Sequence, residues 1–145
     1  MIRATLDSVI STLRPVPLRG KGFVFDYVTP QEGIRQATVA GSYGMTLNLA
    51  NAIHRQIYMG CFADAMTRWA RALLRPGGRF VDAGANVGYF SLIAADRVGP
   101  EGRVFAVEPN PAAFAALQAH LAANRIAHVE TCNWGLAECE GTVEL

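Results

Sequence analysis

The sequence predicts an α/β fold built on a parallel sheet, and three observations lead to this class. From residue 79 onwards, apolar strand patterns alternate with helical periodicity in the order strand, helix, strand, helix, strand. A glycine-bearing turn joins the first of these strands to its helix, and the second strand ends at an acidic residue. Because parallel strands need long crossover connections, this order predicts right-handed βαβ units of a doubly wound sheet.

The composition narrows the classes of partner and of compartment. The chain has 145 residues, enough for one domain with a hydrophobic core, and a net charge of +1. Its cations are scattered, so nothing favours nucleic acid as a partner. We expect no membrane span, because no unbroken apolar run approaches the ~20 residues that a bilayer requires. Cys61, Cys132 and Cys139 lack Cys-x-x-Cys spacing, which favours a cytoplasmic protein without a disulfide framework or a metal site.

The first sixty residues predict an N-terminal helix followed by a small antiparallel β cap. Apolar residues recur at helical spacing over 2–13, and two prolines then end the helix. Alternation over 22–28 predicts a strand, with residues 34–40 as its return partner. A glycine-containing break over 41–44 precedes a further short strand over 45–49.

Residues 61–74 predict a helix that leads into the main sheet. Its apolar residues recur on one helical face, and we expect this stripe to pack in the core: Phe62, Met66, Trp69, Ala70 and Leu73. The turn over 76–78 contains a proline and two glycines and ends this helix before the first parallel strand.

Three strands and two helices are predicted beyond that turn. The first strand begins at Phe80, and the second and third strands cover 103–107 and 128–132. One helix follows the glycine turn, and the other starts after the N-cap Asn110 and runs to about residue 124. Residues 142–145 can begin one more strand.

The parallel sheet predicted in this way is incomplete. At ~30 residues for each βαβ step, residues 79–145 hold about half of a doubly wound sheet. The last strand then has an open edge, through which two copies of the chain can form a homo-oligomer. We therefore divide the chain into an N-terminal helix and β cap over 1–60 and a partial Rossmann-like domain over 61–145.

The turn after the first parallel strand carries the candidate site. It reads Asp82-x-Gly84-x-Asn86-x-Gly88, which is not the dinucleotide-binding pattern Gly-x-Gly-x-x-Gly. Glycine lets the backbone approach a ligand closely, and asparagine tolerates a left-handed backbone. Glu108 ends the next strand about 20 residues later, where an acidic residue can bind the hydroxyls of a nucleoside ribose. The sequence therefore predicts a nucleoside site at the ends of two neighbouring strands.

Several segments resemble the FkbM-type methyltransferases, a class I family that depends on S-adenosylmethionine. The resemblance extends from about residue 58 to residue 145 and is carried by VDAGANVGYF at 81–90, VEPNP at 107–111, LAAN at 121–124 and the tail over 133–145. It implies a Rossmann-like methyltransferase sheet with S-adenosylmethionine as cofactor. Family members often carry a glutamate shortly after the position of Gly60, where this chain has Asp64. The family's later strand and loop, with acidic residues near the methyl acceptor, have no counterpart in these 145 residues.

The resemblance also implies roles for the turn and the strand ends. Glu108 would accept hydrogen bonds from both ribose hydroxyls, and Asp82 would face the methionine part of the cofactor. Gly84 and Gly88 would clear space for the cofactor and for close helix packing. The cofactor-binding residues of the turn are thus Asp82, Gly84, Ala85, Asn86 and Gly88.

Four further residues complete the implied site. Pro109 and Asn110 would shape the edge of the adenosine pocket, although helix capping alone also explains Asn110. Asn133 and Trp134 follow the third strand, where adenine is usually contacted in such folds. For Trp134, a role in the core or in an interface is an equal alternative.

The implied activity is O-methylation of a sugar or another small-molecule hydroxyl. No catalytic base can be assigned, and the isolated histidines His54, His120 and His128 are interpreted as surface or satisfied polar residues. Two alternatives stay open. The chain could be a remnant or partner subunit that binds S-adenosylmethionine without catalysis, or an NAD-binding oxidoreductase, which the missing third glycine disfavours.

Overall fold

The computed structural model describes residues 29–138 and the isolated positions 12 and 141. Within these residues the strands are β1 (Ile34–Val39), β2 (Tyr43–Asn48), β3 (Arg79–Ala83), β4 (Arg103–Val107) and β5 (Val129–Cys132), and the helices are α1 (Ala52–Met59), α2 (Asp64–Leu73), α3 (Tyr89–Val98) and α4 (Pro111–Ala123). The predicted α/β class with a parallel sheet is confirmed. The predicted helix over 2–13, apart from the helical Thr12, and the predicted strands over 22–28 and 142–145 lie outside the described residues.

Two compact units divide the chain. Among the described residues, the first unit contains 29–37 and 45–64, and the second contains 38–44 and 65–138. The first unit has an apolar core whose fully buried side chains are Met45, Leu47, Leu49, Ile57 and Met59. The second unit contains the parallel sheet and the candidate site.

Strands β1 and β2 form a separate two-stranded sheet. Only three residues connect them, so the two strands run antiparallel. Ala40 and Gly41 turn the chain with φ of 53° and 85°, in the left-handed region. The predicted break over 41–44 is too long, since Tyr43 and Gly44 already belong to β2. The antiparallel character of this region is as predicted, but among the described residues the partner of β1 is β2.

Helix α1 was not predicted, although both of its ends are marked in the sequence. The side chain of Asn51 accepts hydrogen bonds from the backbone N–H groups of Ile53 and His54 at 2.8 and 3.3 Å. Gly60 ends the helix with a φ of 68°, a conformation that glycine adopts without a Cβ penalty. The predicted alternation over 45–49 ends shortly before the N-cap Asn51. The side chain of this residue satisfies free N–H groups of the first turn of α1.

Strands β3, β4 and β5 form the parallel sheet in this order. The register places Asp82 beside Ala106 and Ala83 beside Val107, so the ends of β3 and β4 lie next to each other. Helix α3 packs on one face of the sheet, where Ala94, Ala95, Val98 and Val104 are buried together with flanking Tyr43, Leu74, Phe80, Ile126 and Val129. Because neighbouring parallel strands end at the same edge, the sheet brings the two predicted acidic residues together.

Helix α2 has the predicted amphipathic pattern, but the predicted core role of its stripe is wrong. Met66, Trp69 and Leu73 are 63%, 67% and 66% exposed. Val81, in the neighbouring strand β3, is also 63% exposed. A helical period predicts that an apolar face exists, but it does not identify the surface that covers the face.

The described part of the chain contains no helix with the length and apolar content that crossing a bilayer requires. Over the same residues, His, Cys, Asp and Glu side chains do not assemble in threes that could hold a metal ion. Cys61 and Cys132 are both partly buried.

Candidate cofactor-binding site

The loop between β3 and α3 follows the predicted strand, turn and helix order. Gly84, Asn86 and Gly88 all have positive φ, at 77°, 50° and 89°. The left-handed backbone expected of Asn86 is therefore confirmed. The backbone N–H groups of Gly84 and Ala85 both donate to the carbonyl of Val107, at 2.9 Å each. These two bonds fasten the beginning of the loop to the last residue of β4.

The two glycines of the loop serve different purposes. A Cβ on Gly88 would lie 2.6 Å from Leu117 Cδ1, so the missing side chain lets helix α4 pack against the loop. A Cβ on Gly84 would meet nothing within 4 Å. Gly84 therefore borders open space, while Gly88 permits close packing. The sequence alone predicts both purposes for the pair and does not separate them.

Glu108 lies immediately after β4 and holds the loop through its side chain. The residue is 7% exposed. Oε2 accepts a hydrogen bond from the backbone N–H of Asn86 at 2.7 Å, and Oε1 accepts one from the backbone N–H of Asn110 at 2.9 Å. A carboxylate has about four acceptor positions, so about two are left for a ligand. Glu108 therefore faces the glycine loop and links it to the start of α4.

Asp82 is the penultimate residue of β3, opposite Ala106 of β4, and is also 7% exposed. Its Oδ2 accepts a hydrogen bond from the Ser91 hydroxyl at 2.6 Å, and the Ser91 backbone N–H also donates to it. Burial raises the pKa of Asp82 above its ordinary value, and the nearby charge of Glu108 adds to this rise, while the two bonds from Ser91 oppose it. The site thus contains two neighbouring carboxylates in different environments.

The remaining predicted residues lie around Glu108. Asn110 is the N-cap of α4, as predicted, and its side chain accepts from the backbone N–H groups of Ala112 and Ala113 at 3.0 and 3.1 Å. Asn133 Nδ2 donates to the carbonyl oxygens of Glu108 and Pro109, at 2.7 and 3.0 Å. The side-chain amide of Asn133 therefore ties the end of β5 to the end of β4.

Trp134, the last predicted site residue, follows Asn133 and is 66% exposed. The core alternative for Trp134 does not hold in this structure, because a core side chain is buried. Its exposed indole lies one residue beyond the tie to β4.

Three residues that support the site were not predicted as site residues from the sequence. Ser91 bonds Asp82, Leu117 packs on Gly88, and His120 bonds the carbonyl of Val87 in the loop through Nδ1 at 2.8 Å. A signal existed for Ser91, because it is the third residue of α3 and follows the strand and turn at a fixed spacing. The other two lie on α4, and their contacts depend on how that helix packs.

The interpretation of the histidines is confirmed. His120 is 4% exposed, and its ring bonds the loop carbonyl described above. His128 Nε2 bonds the carbonyl of Ala95 at 3.1 Å, and His54 Nδ1 accepts from the backbone N–H of Asn48 at 3.0 Å. Each ring is thus a satisfied polar group.

Known proteins were compared with this chain by sequence and by structure. No protein-family model matches it, and no curated protein matches it. TYW2 of M. jannaschii, solved in complex with AdoMet, is 21% identical, with a TM-score of 0.55 over 72% of this chain and 44% of that chain. TYW2 of P. horikoshii, in complex with MeSAdo, is 19% identical, with a TM-score of 0.51 over 70% of this chain and 36% of that chain.

A third solved structure shares the same fold. Trm5b of Pyrococcus abyssi is 19% identical, with a TM-score of 0.51 over 70% of this chain and 28% of that chain. Over about 70% of its length the chain shares the Rossmann-like α/β fold of these three structures. At these identities the similarity establishes the fold, and the chain spans less than half the length of each of the three structures.

Proposed function

We propose that this chain binds S-adenosylmethionine and forms the cofactor-binding part of a methyltransferase of the FkbM type. The proposal rests on the fold and on two carboxylates around a glycine loop, and it names the ligand that these features would bind. The observation that carries it is the position of Glu108, whose Oε2 accepts from the backbone N–H of Asn86 in the glycine loop at 2.7 Å and whose Oε1 accepts from the backbone N–H of Asn110 at 2.9 Å.

Glu108 is suited to an adenosyl ribose for a reason of geometry and of charge. The 2′ and 3′ hydroxyls of a ribose are adjacent donors, and a carboxylate can accept from both. The two backbone bonds fix the carboxylate before a ligand arrives, so little side-chain entropy is lost on binding. The remaining acceptor positions of Glu108 are the ones that we assign to the ribose.

Asp82 and Gly84 are assigned to the other end of the cofactor. The methionine part carries an ammonium group, which a neighbouring carboxylate attracts. Gly84, two residues after Asp82, borders open space, where a side chain would restrict a ligand. We assign Pro109, Asn110 and Trp134 to the adenine end. The first two follow the end of β4, and Trp134 follows the end of β5.

Methyl transfer from a sulfonium requires the protein mainly to position the reactants, and it needs little covalent catalysis. S-adenosylmethionine, when bound, supplies an activated methyl group on a sulfonium. The protein residues then hold the adenosyl and methionine ends so that the acceptor can approach in line, and proximity of this kind contributes up to ~7–11 kcal/mol to lowering a barrier. A general base for an acceptor hydroxyl is not assigned among the described residues.

The acceptor that we propose is a hydroxyl of a sugar or another small molecule, as the resemblance to the FkbM-type family implies. The net charge of +1 supplies no strong field for a polyanion, which favours a small acceptor over nucleic acid. A methyl-transfer assay with labelled S-adenosylmethionine and separate pools of sugars and RNA tests this assignment. Transfer to RNA alone would contradict it.

Isothermal titration calorimetry tests the cofactor assignment. The 145-residue chain is titrated with S-adenosylhomocysteine and, separately, with NAD. We expect the first to bind and the second not to bind. Binding of NAD without binding of S-adenosylhomocysteine would replace the proposal with an oxidoreductase.

Binding and turnover are measured separately, because a remnant or partner subunit would bind the cofactor without catalysis. Methyl transfer is assayed with this chain and with any longer version of it. Binding without transfer in both would favour the remnant or the partner subunit. Transfer in the longer version would support the methyltransferase.

A further inference from the structure

We propose that Ser91 is a positioning residue that holds the Asp82 carboxylate ready for the ammonium group of the cofactor. The inference rests on the proposed function, because it names the support of one end of the same site. Its basis is the buried hydrogen bond of 2.6 Å between Ser91 Oγ and Asp82 Oδ2. Ser91 is 0% exposed and Asp82 is 7% exposed, so the bond is buried.

The place of Ser91 in α3 explains why it can do this. Helix α3 begins after Gly88, a residue that has no side chain to cap the first turn. The N–H groups of that turn have no partner within the helix, and Ser91 is its third residue. Asp82 accepts from both the backbone N–H and the hydroxyl of Ser91. Asp82 therefore caps the helix from the preceding strand, and Ser91 is bonded to it twice.

The charge balance at Asp82 gives the pair its function. Burial and the charge of Glu108 both raise the pKa of Asp82, whereas the bonds from Ser91 and the positive end of the helix favour its ionised form. Glu108 is the charged group that the described residues place against Asp82. An ionised Asp82 attracts an ammonium group, and a protonated one does not. Ser91 thus extends the pH range over which the site binds the methionine part of the cofactor.

The first test measures the pair without any ligand. The carboxyl carbon of Asp82 is followed by NMR during a pH titration of the wild-type chain, of Ser91→Ala and of Ser91→Thr. We expect the midpoint to rise in Ser91→Ala and to return in Ser91→Thr, which keeps a hydroxyl. An unchanged midpoint in Ser91→Ala overturns the inference whatever the ligand of the site is. If Ser91→Ala does not fold, Ser91→Cys replaces the hydroxyl with a weaker donor of similar size.

The second test measures affinity for S-adenosylhomocysteine against pH. A rise of about one unit in the midpoint lowers affinity about tenfold at pH values below both midpoints and leaves it unchanged well above them. We expect this pattern in Ser91→Ala, its reversal in Ser91→Thr, and its absence in the Asp82→Asn background. 5′-Methylthioadenosine has the same adenosine and sulfur without the amino-acid group, so its affinity is expected to be independent of Ser91.

The contrary outcomes are distinct. A loss of affinity that is equal at all pH values, or equal for both ligands, would make Ser91 a structural residue only and would overturn the inference. Failure of the wild-type chain to bind S-adenosylhomocysteine would overturn the proposed function instead. In that case the ligand-free titration still decides whether Ser91 controls the ionisation of Asp82.

Discussion

The ends of β3 and β4 each hold one buried carboxylate, and the two are held in different ways. Glu108 is bonded by backbone N–H groups from two loops, at Asn86 and Asn110. Asp82 is bonded by one residue of the following helix, Ser91. Both residues are 7% exposed. Glu108 therefore links separate segments of the site, whereas Asp82 depends on a single neighbour for its ionised form.

The largest effect is expected from Glu108→Ala. The variant should lose ~2–3 kcal/mol of affinity for S-adenosylhomocysteine, because two hydrogen bonds to a charged group disappear. It should also lose stability, since the N–H groups of Asn86 and Asn110 lose their acceptor. Calorimetry and urea denaturation measure the two effects. Glu101→Ala, at an exposed glutamate, is the matched control. Unchanged affinity in Glu108→Ala would remove this residue from the site.

Two glycine variants separate the close packing at Gly88 from the open space beside Gly84. Gly88→Ala should destabilise the chain by roughly 1–3 kcal/mol, through a positive φ and overlap with Leu117. Gly84→Ala has the strain of a positive φ without the overlap. We therefore expect Gly88→Ala to cost more stability, measured by urea denaturation, and Gly84→Ala to cost more ligand affinity. The reverse order would contradict the separate purposes of the two glycines.

The pH dependence of stability tests the environment of Asp82. Because the pKa of Asp82 is raised on folding, its protonated form favours the folded state, and this contribution is lost as the pH rises through the folded-state pKa. Asp82→Asn cannot ionise, so its unfolding free energy should fall less between acidic and neutral pH than that of the wild type. Urea denaturation at a series of pH values gives the comparison. Equal pH profiles would show that burial does not perturb Asp82.

The smallest effect is expected from Asn133→Ala. This variant tests whether Asn133 acts through Glu108 or contacts the ligand directly. Asn133 donates to the carbonyls of Glu108 and Pro109, so removal of its side chain should weaken the placement of Glu108 by about 1 kcal/mol. In a double-mutant cycle on S-adenosylhomocysteine affinity, this loss should largely vanish when Glu108→Ala is already present. A loss that persists in that background would indicate direct contact with the ligand.

Local patterns predicted much of the parallel sheet and the placement of several candidate site residues. The strand, turn and helix around Gly84 and Gly88 are encoded by neighbouring residues, and Glu108 follows at a spacing that parallel pairing imposes. The N-cap Asn110 was predictable for the same reason, because its chemistry is local.

Other features depend on packing that a single sequence does not reveal. The exposure of Met66 and Trp69 follows from which surfaces meet, and amphipathic periodicity is the same whether a face is covered or exposed. Asn133 lies at the predicted edge, but its bonds to two carbonyls arise from the relative positions of β4 and β5. Ser91 follows the strand and turn at a fixed spacing, but its bond to Asp82 depends on how the first turn of α3 meets the end of β3.

A crystal structure of the chain with S-adenosylhomocysteine tests the central claim most directly. We predict that both ribose hydroxyls lie within hydrogen-bond distance of the Glu108 carboxylate, at about 2.5–3.0 Å, while its bonds to Asn86 and Asn110 persist. A ligand bound elsewhere, or a ribose that does not contact Glu108, would contradict the account.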